Sequence, residues 1–239
     1  MTIFHFRMKN VVQDYFLASS QLRDPRIWKP VLWAILLSLG TIFVMVLLAG
    51  GLLFQFVGNL SSSLTGWMSW ADGWLGGLAA VFGSLFIAMV GYFFLASVYA
   101  AFLGLFLDSA LDAVQQEHYP DNAWEKPPGM VESSISSLRF ILWSLVVYLL
   151  CSPLLLVAFF IPPLGLLLQI LLGGFLLGRE FGQVIEHRIP REKRMRKPGS
   201  LVHGSIASFL WMFPLVNFLA PMLLATSLVH ARLRRLKTN

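Results

Sequence analysis

The sequence contains one group of residues suited to binding an anion: Arg26, Trp28 and Lys29, just before the first long apolar stretch. They follow Asp24 and Pro25, a pair typical of a helix start, because the carboxylate caps free backbone N–H groups and proline fits the first helical position. Arg26 and Lys29 then lie in the first turn, where the helix dipole disfavours cations by about 0.3 to 1 kcal/mol. An oxyanion held by both cations and shielded from lipid by Trp28 would remove this conflict. Alternatively, the charges bind lipid phosphates and Trp28 is an ordinary interfacial aromatic residue.

Two more polar residues, Asn217 and Gln169, are predicted to lie at depth inside apolar stretches. Asn217 lies between Pro214 and Pro221, where a neutral donor can hold a passing anion without trapping it. Both residues are therefore candidates for an anion pathway. Alternatively, Asn217 caps backbone groups freed by the prolines, and Gln169 hydrogen-bonds a neighbouring helix. His203 is interpreted as a packing or hydrogen-bonding residue in preference to a proton-coupling one.

Motifs for catalysis and metal binding are missing from the sequence. It contains no HExxH, no GxSxG, no phosphate-binding glycine loop and no Cys/His cluster, and its single cysteine, Cys151, excludes an intramolecular disulfide. Acidic residues avoid the apolar cores, which argues against a cation pump. We therefore expect no enzyme, no metal and no cofactor, and either an anion pathway or a scaffold.

The composition is typical of an integral membrane protein with an all-α fold. Of 239 residues, 57% are hydrophobic and 13% are charged, and the mean hydropathy is +0.72, whereas soluble domains contain about 25% charged residues. Residues 30–57 and 74–107 carry no charge and are each long enough to cross a bilayer, so they are predicted as two long transmembrane helices. The polar and tryptophan-rich residues 58–73 predict a turn at the membrane interface.

The second half of the chain contains two apolar blocks, residues 138–178 and 201–231, each broken by prolines. After the breaks, residues 164–178 and 215–231 would form helices of about 22 and 25 Å, which are marginal as membrane spans. We therefore predict two Pro-broken helical hairpins that re-enter the bilayer without crossing it. The alternative is that both hairpins cross, which would give six spans with the same charge distribution.

Residues 1–29 contain no long apolar run and are predicted to form an N-terminal amphipathic helix in the membrane interface. One face carries, at helical spacing, Val11, Val12, Tyr15, Phe16 and Ser19, and the opposite, polar face carries Lys9, Gln13 and Asp14. With the long helices and the hairpins, this segment completes a single membrane domain over residues 1–239.

The charge distribution predicts that both termini are cytoplasmic. Five Lys or Arg residues lie in the N-terminal segment and none in residues 58–73, whereas residues 179–197 carry seven basic and three acidic residues. This asymmetry explains the net charge of +6 without nucleic-acid binding. The acidic residues Asp108, Asp112 and Glu117 extend the second long helix and are expected to pair with the basic residues 191–197.

Three glycines, Gly174, Gly178 and Gly182, recur at every fourth position across the end of the first apolar block. Such a stripe of small residues lets another helix approach closely. It predicts tight helix packing or a contact between subunits.

Several local strings resemble the CysZ-type sulfate permeases of bacteria, which carry the etoposide-induced-protein-type domain. The most specific is FPLVNFLAP at residues 213–221, which is similar to the family's PLVNLLAP signature. RIPRE at 188–192, IPPLG at 161–165 and FLD at 106–108 also match, in the family's order. The resemblance covers residues 16–233.

The resemblance implies sulfate uptake across the bacterial inner membrane, by a channel or secondary transporter that supplies cysteine biosynthesis and assembles as a homo-oligomer. In the family, an anion site is associated with a Gly-apolar-Arg-Arg string before the first long helix. Here the glycine position holds Arg26, the first arginine position holds Trp28, and Lys29 keeps the second charge. The alternative function is that of a membrane scaffold or assembly protein without transport activity.

Overall fold

Helices form every regular element in the part of the chain that the structure describes. The structure is a computed structural model, and it describes residues 2–64, 69–195, 200–213 and 216–238. The helices are α1 (Thr2–Gln21), α2 (Pro25–Leu64), α3 (Ser69–His118), α4 (Met130–Phe159), α5 (Pro162–His187), α6 (Leu201–Leu210) and α7 (Ala220–Thr238), with short 3-10 helices at Arg191–Lys193 and Val216–Phe218.

Four segments of these helices are long and apolar enough to cross a membrane. They are Pro25–Phe56, Val98–His118, Val131–Phe159 and Pro162–His187. The predicted class, an all-α integral membrane protein, is therefore confirmed.

The two long helices extend further than residues 30–57 and 74–107. Helix α2 continues to Leu64 and α3 starts at Ser69, so the predicted extent of the turn, residues 58–73, is wrong. Serine and asparagine lower helix propensity only modestly, so polar residues at an interface do not have to end a helix. Residues 65–68, which include Trp67 of the predicted turn, lie outside the described residues.

The first hairpin breaks at the predicted prolines but has a longer second arm than predicted. Helix α5 begins at Pro162 and continues beyond Gly178 to His187, which gives 26 residues or about 39 Å, enough to cross a bilayer. The prediction of a short arm is wrong here, because Arg179 and Glu180 end the apolar run without ending the helix. Re-entrance of this hairpin stays a prediction.

The second hairpin has a short first arm. Helix α6 contains 10 residues, about 15 Å, which is too short to cross a bilayer. Helix α7 continues beyond residue 231 to Thr238 through the basic tail. Re-entrance of this hairpin also stays a prediction, and the break at Pro214 lies outside the described residues.

Helices α5 and α6 pack through glycines at very short range. A Cβ atom on Gly204 of α6 would overlap the carbonyl oxygen of Gly174 and lie 2.7 Å from the backbone nitrogen of Gly178. Gly182, one turn further along α5, is also buried. The predicted packing role of the small-residue stripe is therefore confirmed.

Helix α1 packs against α7, and Asp14 is buried together with Val11 of the predicted apolar face. Asp14 is only 1% exposed, whereas Val12 and Phe16 are 63% and 71% exposed. The prediction that Asp14 lies on an outward polar face is wrong, because the side chain is an acceptor for partners on α6 and α7. The position of α1 in a membrane interface stays a prediction.

Contacts group the chain into two compact units. The first comprises residues 1–31 and 107–239, and the second comprises residues 32–106. The first unit contains α1, the start of α2, the end of α3 and helices α4 to α7. That the whole chain forms one membrane domain stays a prediction.

Candidate functional site

The start of α2 carries the sequence-predicted anion-binding residues. The backbone N–H of Arg26 donates to Oδ1 of Asp24 at 2.8 Å, and those of Ile27 and Trp28 donate to the Asp24 carbonyl oxygen at 3.0 and 3.2 Å. The predicted Asp24 cap is therefore confirmed. Because this carboxylate already accepts the Arg26 N–H, an anion bound here would rely mainly on the side chains.

The side chains of Arg26, Trp28 and Lys29 are all exposed. Within the described parts of the chain, the ion pairs involve neither Arg26 nor Lys29. The two cations are therefore one turn apart at the start of a candidate membrane span, and no carboxylate of the described residues forms an ion pair with them. Their role in anion binding stays a prediction.

The two candidate pathway residues lie in different elements. Asn217 is half-buried in the 3-10 helix Val216–Phe218, and its backbone N–H donates to the carbonyl oxygen of Phe213 at 2.8 Å. Gln169 of α5 lines a cavity of about 440 Å³, together with Ser144 and Trp211. Asn217 is not part of that lining.

The buried carboxylate of Asp14 connects α1 with α7 through an ion pair and with α6 through a histidine contact. Asp14 Oδ2 lies 3.3 Å from Nε2 of His203, and Asp14 Oδ1 lies 2.9 Å from Nη1 of Arg234. Nδ1 of His203 contacts the Ser200 hydroxyl at 2.8 Å, and the hydroxyl of Tyr15 donates to the His203 carbonyl oxygen at 2.6 Å. His203 therefore has the predicted hydrogen-bonding role.

A second buried ion pair joins α5 to α7. Glu186, 6% exposed, is bound by Nε and Nη2 of Arg232, which is 9% exposed. Glu186 also accepts the backbone N–H of Met195 at 2.8 Å, and Arg232 donates to the Lys193 carbonyl oxygen. The adjacent cavity measures about 40 Å³, far below the roughly 300 to 1,000 Å³ of typical ligand pockets. We therefore assign this pair to stability and not to ligand binding.

Arg188 is the partner of the acidic extension of α3. Its Nη1 lies 3.6 Å from Asp108, and its Nη2 binds Asp112, which also accepts Nε1–H of Trp124 at 2.7 Å. Burial lowers the pKa of Arg188, and the charge of Asp108 acts in the opposite direction. The prediction that residues 191–197 pair with these aspartates is wrong among the described residues, because Asp108 and Asp112 pair with Arg188, just beyond the end of α5.

His230 of α7 is buried in its neutral form. Nδ1 accepts a hydrogen bond from the Tyr119 hydroxyl at 3.0 Å and Nε2 donates to Oε1 of Gln21 at 3.1 Å. Burial, followed by the neighbouring His118, lowers the pKa of His230 to about 4; Asp14 raises it and Arg234 lowers it further.

This burial predicts a loss of stability in mild acid. In the unfolded chain the histidine has its ordinary pKa of about 6.5 and binds a proton below that pH. In the folded chain His230 stays neutral down to about pH 4. The free energy of unfolding therefore falls as the pH drops from about 6.5 to about 4. The contribution is on the order of 3 kcal/mol. Thermal unfolding in detergent across this window should show a steeper acid loss for wild type than for His230→Gln. Parallel pH profiles of the two proteins would contradict the assignment.

The buried partners Asp14, Glu186 and Arg232 were not among the sequence-predicted site residues. A weak signal exists in α5, where Arg179, Gln183 and Glu186 fall at helical spacing on a mostly apolar helix. For Asp14 the sequence offers no comparable signal, because its partners His203 and Arg234 lie 189 and 220 positions away in the sequence.

The family described as sulfate transporter CysZ/Etoposide-induced protein 2.4 matches residues 15–221. This match covers most of the chain, from α1 to the start of α7. Neither curated proteins nor solved structures give a significant match. The resemblance seen in the sequence is therefore confirmed, with the match ending at residue 221.

Proposed function

Because this chain belongs to the sulfate transporter CysZ/etoposide-induced-protein family, we propose that it carries sulfate across the bacterial inner membrane. It acts as a channel or secondary transporter without a covalent cofactor, and the sulfate supplies cysteine biosynthesis. The protein works as a homo-oligomer in the lipid bilayer, with both termini cytoplasmic.

The observation that supports this function best is the pair of uncompensated cations at the start of α2. Arg26 and Lys29 are exposed and lie at the beginning of the candidate span Pro25–Phe56. A guanidinium can give two parallel hydrogen bonds to a tetrahedral oxyanion, and an ammonium adds a point charge. In this proposal Trp28, which is also exposed, shields the bound anion from lipid.

Asn217 and Gln169 serve this proposal as neutral pathway residues. Gln169 lines a cavity beside α5, and Asn217 lies in the half-buried 3-10 helix before α7. Neutral donors bind a divalent anion weakly enough to release it.

Labelled sulfate uptake into proteoliposomes tests the proposal. Removing both cations in Arg26→Ala, Lys29→Ala should reduce the initial rate at low sulfate about tenfold or more, since hydrogen bonds to charged groups contribute about 1.5 to 3 kcal/mol each. Arg23→Gln, which removes an exposed charge just before the Asp24 cap, is the matched control and should transport like wild type.

Two outcomes would count against parts of the proposal. Undiminished flux in the double variant would keep sulfate transport but exclude this anion site. The segment from Pro214 to Pro221 would then be the next candidate for the site. Wild-type flux no higher than in protein-free liposomes, with the oligomer intact, would reject transport in favour of a scaffold.

A further inference from the structure

A polar cavity of about 400 Å³ lies against α4 and α5, separate from the start of α2. Its volume falls within the range of typical ligand pockets, roughly 300 to 1,000 Å³. Its polar lining is dominated by hydrogen-bond donors and positive charge: Ser136, Arg139, Arg179, Gln183, His187 and Arg194.

Two of the three arginines in this cavity have no carboxylate partner among the described residues. Arg194 pairs with Glu125 at 2.9 Å, and the one lining carboxylate, Glu186, is bound by Arg232. The ion pairs of the described ranges include neither Arg139 nor Arg179. The cavity therefore carries two positive charges that no carboxylate of the described residues pairs with.

Trp143 holds one of these arginines in a fixed orientation. The guanidinium carbon of Arg179 lies 3.9 Å from the centroid of the Trp143 ring, in a cation–π contact. Trp143 and Arg139 both line the same cavity from α4, so the cavity brings together both arginines and this ring. Stacking leaves the edge of the guanidinium, with its N–H donors, available to a ligand in the cavity.

Both arginines belong to candidate membrane spans, Val131–Phe159 and Pro162–His187. Arg139 is nine residues from the start of α4 and Arg179 is eight residues from the end of α5, which corresponds to about 13 and 12 Å along the helices. Charged residues inside membrane spans are costly and mark ligand or ion pathways when they face a polar cavity. Because neither arginine has a carboxylate partner among the described residues, both charges are available to an anion from outside the chain.

We propose that this cavity is a second anion site, which binds a tetrahedral oxyanion of two negative charges between Arg139 and Arg179. The ligand is free sulfate or the phosphate monoester of a lipid headgroup, since both present the same oxygens to the guanidinium edges. The choice of sulfate rests on the proposed function, whereas the site itself rests on the cavity and its charges.

Equilibrium binding of labelled sulfate to the full chain in uncharged detergent tests the site directly. Wild type should bind two sulfates per chain, and Arg139→Gln, Arg179→Gln should lose one, with affinity at that site weakened about 100-fold. Arg139→Lys, Arg179→Lys keeps the charge and should retain the site with intermediate affinity, which guards against a folding defect in the glutamine variant. Arg191→Gln, an exposed charge outside the cavity, is the matched control.

The source of the anion follows from the same assay in nanodiscs. If phosphatidic acid, compared with phosphatidylcholine alone, abolishes the Arg139-dependent sulfate binding, the site takes the lipid phosphate. If sulfate binding is unchanged by the lipid, the site takes the free ion. An unchanged stoichiometry in Arg139→Gln, Arg179→Gln would overturn the second site.

Failure of the proposed function is distinguishable from failure of this site. If wild type binds sulfate through Arg139 and Arg179 but proteoliposomes show no flux, transport fails and the anion site stands. If flux is present and depends on Arg26 and Lys29 while the cavity variant binds and transports like wild type, transport stands and the second site is rejected.

Discussion

Replacing Arg232 with alanine is expected to lower the free energy of unfolding by about 3 to 5 kcal/mol. The change leaves Glu186, which is 6% exposed, as a buried carboxylate without its cation. It also removes the donor to the Lys193 carbonyl oxygen, so α5, α7 and the segment between α5 and α6 lose a shared contact. Equilibrium unfolding in mixed detergent micelles, followed by circular dichroism, measures the effect.

A control and a rescue separate the buried pair from the general loss of positive charge. Lys237→Ala removes an exposed cation from the same helix and should change stability little. The double change Glu186→Gln, Arg232→Met removes both charges, keeps an acceptor for Met195, and should recover most of the loss. A double variant as unstable as Arg232→Ala alone would show that the charge left on Glu186 is not the cause.

Replacing Gly204 with leucine is expected to prevent native packing of α5 against α6, with a loss of at least about 3 kcal/mol. Even the first side-chain carbon would overlap the backbone of Gly174 and crowd that of Gly178. Backbone atoms inside a helix cannot rotate away as a side chain does, so the two helices would have to separate. The yield of monodisperse protein and its unfolding midpoint in detergent measure this effect.

Gly104→Leu is the matched control for this substitution. Gly104 is also a helical glycine, but a Cβ atom there meets nothing within 4 Å. We expect this variant to purify and unfold like wild type. Equal destabilisation by both leucines would mean that the close approach at Gly204 does not hold α5 and α6 together.

The sequence predicts the features of the fold that depend on local composition. The length of the uncharged stretches predicts α2 and α3, Asp24 with Pro25 predicts the start of α2, and the spacing of Gly174 and Gly178 predicts a close helix contact. Each of these depends on a few neighbouring residues, so no knowledge of the tertiary structure is needed.

Features that depend on distant partners were not predictable in the same way. Periodicity predicts a polar face for Asp14, but in the structure His203 and Arg234 contact it and it is buried. The apolar run ends at Gly178 because Arg179 follows, yet Arg179 stacks on the ring of Trp143 and the helix continues. In both cases the sequence pattern assigns a charged residue to an outer face or a helix end, whereas in the structure a residue of another helix contacts it.

The candidate anion sites were predictable only in part. The sequence indicates Arg26 and Lys29 as anion-binding candidates because the helix dipole disfavours cations in the first turn. Arg139 and Arg179 lie 40 residues apart on separate helices, and only folding of α4 beside α5 places them in one cavity. The sequence alone therefore indicates the first site and not the second.

Sulfate uptake by wild-type proteoliposomes under an imposed membrane potential tests the central claim most directly. An inside-positive potential of about 100 mV favours inward movement of a divalent anion by about 4.6 kcal/mol, at about 2.3 kcal/mol per charge. We expect saturable uptake of labelled sulfate, competed by unlabelled sulfate and well above that of protein-free liposomes, and faster at inside-positive potential if the movement is uncoupled. Uptake equal to that of protein-free liposomes at every potential would contradict the claim that this protein transports sulfate.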